Sequence, residues 1–135
     1  MFIIGEKIKK QSVIYPEDIA SAAETSADVY VSMLGIRYAT MNIQAKLTST
    51  KTAVCQLTCA TDASGTSKDD VSGKTLTLTG GTSSIGCIDF EINDLDLAND
   101  HYFVGVDVAT NQNGDNITAW VEWIAPYQHG DINPN

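Results

Sequence analysis

The chain has 135 residues, 43% of them apolar and 19% charged, enough material for one domain with its own core. Its net charge of −9 lies in the second half: residues 1–67 balance six acids with six bases, whereas residues 68–135 hold eleven acids against Lys68 and Lys74. That half repels a phosphate backbone, which excludes nucleic-acid binding, and the absence of a long apolar run excludes a membrane-spanning helix.

The first stretch, MFIIGEKIKK, sets its apolar residues before its charges and lacks the h-region of a signal peptide, so synthesis and retention in a reducing cytoplasm are expected. Residues 1–27 read as an N-terminal arm. Two apolar patches, Phe2–Ile4 and Val13–Tyr15, are separated by charge and closed by Pro16, and a helical turn is expected between Asp18 and Glu24. Patches this short make no core. They must dock on the chain's own sheet or on a neighbour's.

From Asp28 onward the apolar period is close to two. Val29, Val31 and Met33 begin it, followed by Met41, Ile43, Ala45 and Leu47, then Cys55, Leu57 and Cys59. A polar loop spans 61–70, with Gly65 suited to positive φ. Leu76 and Leu78 follow, then Ile88, Phe90 and Ile92, then Tyr102, Val104, Val106 and Val108. The turn NQNGDN leads to Ile117, Ala119, Val121 and Trp123. Connections this short leave no room for crossover helices, so the strands pair antiparallel. The pattern predicts an all-β fold, an antiparallel β-sandwich of jelly-roll or Greek-key type, with a small barrel as the alternative. The sandwich domain is placed at 28–127, after the arm at 1–27 and before an extended polar tail at 128–135.

Chemistry is sparse. Cys55 and Cys59, four apart on a strand, sit about 13 Å from each other, too far for a disulfide. They and Cys87 are expected to be buried free thiols, and His101 and His129 fall in no zinc-ligand spacing. Asp94, Asp96 and Asp100 are closely spaced but lack the glycine and closing glutamate of a calcium loop. Asp89, Glu91, Asp107 and Glu122 fall at outward strand positions, where charges are solvated. No nucleophile motif is present. Hence no catalytic residue, metal or cofactor is expected.

Apolar residues on the wrong face are more telling. If Ile117, Ala119, Val121 and Trp123 point inward, Trp120 and Ile124 point outward; if Val104, Val106 and Val108 point inward, Phe103 points outward. Large exposed aromatics mark contact surfaces, unless a loop of the same chain covers them. The candidate protein-binding residues are therefore Phe2, Ile3, Ile4, Val13, Ile14, Tyr15, Phe103 and Trp120. Deleting residues 1–15 is expected to abolish partner binding and leave the domain folded.

The segments AVCQLTCATDASGTSKDDVSGKTLTLTGG (53–81) and IDFEINDLDLANDHYFVGVDVATN (88–111) resemble small structural proteins of tailed bacteriophages, in particular head decoration proteins. The resemblance covers roughly residues 40–124 and is one of style, without a diagnostic motif. It implies a virion component on the capsid exterior, made in the host cytoplasm, with the major capsid protein as partner and a trimer or dimer as its own state. It carries no catalytic residues, and the arm lies outside it. The alternatives are a carbohydrate-binding module of a tail or fibre, presenting Trp120 or Tyr127 beside Asn and Asp, and a head–tail joining or tail-tube protein.

Overall fold

A computed structural model describes residues 8–18, 24–48, 51–80, 83–110 and 116–124. Among them the alternating pattern becomes nine strands: β1 (Ile8–Asp18), β2 (Glu24–Thr25), β3 (Val31–Ser32), β4 (Tyr38–Lys46), β5 (Thr52–Ala60), β6 (Asp69–Thr79), β7 (Ser83–Glu91), β8 (Phe103–Thr110) and β9 (Asn116–Ile124). One sheet is ordered β1-β9-β4-β7 and the other β2-β8-β5-β6, with β3 also paired to β8. Every pairing is antiparallel. The pairs are nested: β5 with β6, β4 with β7, β2 and β3 with β8, β1 with β9. A two-stranded ribbon wound over itself in this way is a jelly roll.

The core lies between the sheets. Met41, Ile43, Ala45, Ile117, Ala119 and Val121 face Ala53, Cys55, Leu57, Val104, Val106 and Val108, all at most 2% exposed. Each large aliphatic residue buried there contributes about 1.5–3 kcal/mol. Cys55 sits among them, and burial pushes its thiol up to about 12.

The segment assigned to an arm holds, in its described part, the edge strand β1 and, in the other sheet, β2, so it docks on the chain's own sheets. The register of β1 shifts twice, between Ser12 and Ile14 and between Ile14 and Glu17. The first shift lets two consecutive residues, Val13 and Ile14, point inward, both fully buried. The Val13 carbonyl then accepts from the amides of Asp28 and Val29, and the Tyr15 amide donates to Asp28 Oδ2 at 2.8 Å. The bulges and Pro16 also make β1 a poor template for pairing with another chain. The expected helical turn falls mostly outside the described residues, with Asp18 ending β1.

Two further departures have local causes. The strand expected at 29–34 is reduced to Val31–Ser32: the Tyr30 amide donates to Ala63 O, away from β8, while the Met33 amide donates to Tyr102 O in the β8 register and the Ile36 amide then turns back on Met33 O. The expected loop ends sooner, since β6 starts at Asp69 and accommodates a bulge with Gly73 at φ +75°. The Gln56 amide donates to the carbonyls of Leu57 and Val71 at this irregularity, both at 2.8 Å.

Candidate contact surface

The outward rows of the two sheets differ. On the five-stranded sheet, β8 presents Gly105 and Asp107 opposite Thr58 and Gln56 of β5. The Tyr30 ring lies over Gly105 and Gly65: a Cβ at either would come within 2.5 Å of it. Gly65 takes φ +81°, as its place in the loop required. Asp107, expected to be solvated, is buried because Lys68 reaches over from the 61–68 loop, its Nζ 2.7 Å from Oδ2. That loop is held by Asp62, whose Oδ1 accepts from the amides of Ser64 and Thr66; its hydrogen bonds with Thr66 hold the carboxyl below its usual range. Phe103 is half-buried, stacked on Tyr102 at 5.9 Å between centroids.

The four-stranded sheet has no such cover among the described residues. Ile8 and Ile124 are partners across β1 and β9, and Tyr38 and Glu91 across β4 and β7. Ile124 is 70% exposed, Tyr38 57% and Ile8 42%. Together with Thr40, Trp123, Asp89 and Glu122 they line an open groove of about 640 Å³. Arg37 stands over the Tyr38 ring at 5.4 Å from its centroid, a cation–π contact. Farther along the face, Trp120 sits between Ser12 and Asn42, half-buried, its Nε1 donating to Glu122 Oε1 at 2.8 Å. Ile85, 66% exposed, and Cys87 complete the row on β7. The expectation of three buried thiols is thus corrected: Cys87 occupies an outward position in register with Asn42.

The residues singled out from sequence are dispersed by the fold. Phe2, Ile3 and Ile4 lie outside the described residues. Val13 and Ile14 are spent in the chain's own core, so they present nothing to a partner. Tyr15 stays 49% exposed on the edge strand. Phe103 and Trp120 fall on opposite outer faces, in different sheets. Ile124 was legible as outward from the period of its strand. Ile8, Tyr38 and Ile85 were not, because each sits near a strand end where alternation had not begun to register.

No protein-family model matches the chain, and no curated protein matches it. Its fold is similar to that of the PBSX exported protein XepA, with a TM-score of 0.56 at 4% identity over 89% of this chain and 38% of that one. It is also similar to a chain in the structure of the infectious bursal disease virus Gx strain, at TM-score 0.52 and 7% identity, covering 91% of this chain and 33% of that one. A chain of the Triatoma virus structure gives 0.51 and 8%, covering 93% and 66%. The chain therefore spans about a third to two thirds of these three relatives in structure, and what it shares with them is the fold.

Proposed function

We propose that the chain is a structural component of a bacteriophage virion that seats on the exterior of the head shell as a decoration protein, with the major capsid protein as partner. The observation that carries this is the apolar row Ile8, Ile124 and Tyr38, exposed and without cover among the described residues, on the outer face of the four-stranded sheet, with Trp120 beside it. Large apolar groups left in water are costly unless a second polypeptide covers them. The proposed task needs no catalytic residue and no cofactor; it needs buried area between neighbouring shell subunits. The sandwich fold shared with chains of two virus structures supports the reading, as does the resemblance of residues 40–124 to phage head proteins. A dimer or trimer suits placement at a shell symmetry axis.

The test is co-sedimentation with shells of the parent phage that lack the protein. The double variant Tyr38→Ser, Ile124→Ser should bind at least tenfold more weakly while unfolding at the same urea concentration as the parent, since a central anchor is worth about 2 kcal/mol. Equal saturation by both proteins overturns the assignment. Deleting residues 1–15 is no longer a clean test: it removes Val13 and Ile14 from the core and opens the edge of β9.

One observation favours a second reading, a carbohydrate-binding module of a tail or fibre. The groove sets Tyr38 and Trp123 beside the carboxylates of Asp89, Glu91 and Glu122. Glycan-array hits lost in Tyr38→Ser would favour it over the shell.

A further inference from the structure

Away from that face, four side chains from three stretches of chain converge at one end of the sandwich. Cys59 is the last residue but one of β5, Asp69 opens β6 opposite it, and Asp96 and His101 lie in the connection between β7 and β8, His101 two residues before β8 begins. Carboxylate oxygens of Asp69 and Asp96 and a ring nitrogen of His101 all lie within 4.8 Å of one another. His101 Nδ1 is 3.8 Å from Cys59 Sγ and 3.6 Å from Asp69 Oδ2. We propose that Cys59, Asp69, Asp96 and His101 form a binding site for a zinc-like divalent transition-metal ion.

The distances argue for it. A nitrogen–oxygen separation of 3.6 Å is too long for a hydrogen bond, which falls at about 2.7–3.2 Å. Ligand atoms around a tetrahedral zinc, with bonds of about 2.3 Å to sulfur and about 2.0–2.1 Å to nitrogen and oxygen, stand about 3.4–3.6 Å apart. The His101 distances to Asp69 and Cys59, 3.6 and 3.8 Å, are therefore close to those of donors around an ion. The two carboxylates and the imidazole lie within 4.8 Å of one another, Cys59 adjoins them through His101, and the exposed Asp69 carboxylate has room to close on an ion. Its donors are graded by depth: Cys59 and His101 are buried, Asp96 is half-buried and Asp69 is 64% exposed, which leaves an entry path on the acidic side. Thiolate and imidazole select a transition metal over calcium or magnesium. As the metal–sulfur bond forms, the thiol proton leaves to solvent, so the bound site sets a divalent ion against three negative ligands. The three acids weighed for calcium do not share this arrangement: Asp94 turns away to accept the Glu91 amide at 2.8 Å.

The experiment uses the full chain carrying Cys87→Ser, which removes the exposed thiol, stripped with chelator and titrated with Co²⁺. Saturation at one equivalent is expected, with the visible absorption of tetrahedral cobalt and a near-ultraviolet thiolate-to-cobalt band, both bleached by Zn²⁺. Asp69→Asn, an exposed change that leaves folding intact, should weaken binding by more than the about tenfold that outer-shell changes cost. Cys59→Ser should remove the thiolate band. The proposal is overturned if cobalt does not saturate, if the thiolate band is absent from the starting protein, or if Asp69→Asn binds unchanged.

Discussion

On the five-stranded sheet the outward row is occupied by residues that the chain itself uses. Gly105 makes room for the Tyr30 ring, Asp107 takes Lys68, and Gln56 bonds the carbonyls at the β6 irregularity. On the four-stranded sheet the equivalent positions hold Ile8, Ile124, Tyr38, Trp120 and Ile85, with no loop among the described residues laid over them. The two faces follow one alternating pattern, yet the cover laid over Gly105 and Asp107 tells them apart. Where its own loops cover a face, the chain sets a glycine and buried hydrogen-bonding groups, whereas the open face carries large apolar side chains that are 42–70% exposed at Ile8, Tyr38, Ile85 and Ile124.

This contrast breaks if the covered face proves dispensable. Tyr30→Ala should cost the most, about 3 kcal/mol in urea denaturation, because it strips a buried ring from between Gly65, Gly105 and Thr58. Lys68→Met should cost less, about 1–3 kcal/mol, by leaving the Asp107 carboxylate buried without its cation; the Oδ1 atom already has no partner among the described residues. Ile124→Ser on the open face should change stability by no more than about 0.5 kcal/mol in the same assay. If Ile124→Ser instead unfolds the protein as readily as Tyr30→Ala does, the four-stranded sheet has a cover of its own and the contrast fails.

Much of this was legible in the amino-acid order. Period-two alternation placed the inward rows of β4, β5, β8 and β9, and through them the outward Trp120 and Ile124. It was silent where one residue's position depends on a distant one. Val13 and Ile14 both face inward because of a bulge, which no alternation anticipates. Asp107 is buried because a lysine 39 residues away covers it. Cys59 and His101 lie 42 residues apart and meet only through the pairing of β5 with β8 and the connection after β7, so no ligand spacing announced them. Local chemistry could be read; convergence could not.

The nested pairing sets the order in which the chain can assemble. The β5–β6 ribbon joins neighbours in sequence, with Cys59 opposite Asp69, whereas β1 has its partner at the far end, Ile8 opposite Ile124. During synthesis Val13 and Ile14 therefore wait uncovered until β9 has left the ribosome. Pairings of such separation belong to the slow, millisecond-to-second class of folding reactions, and here β1, made before the other described strands, is among the last of them to find its place.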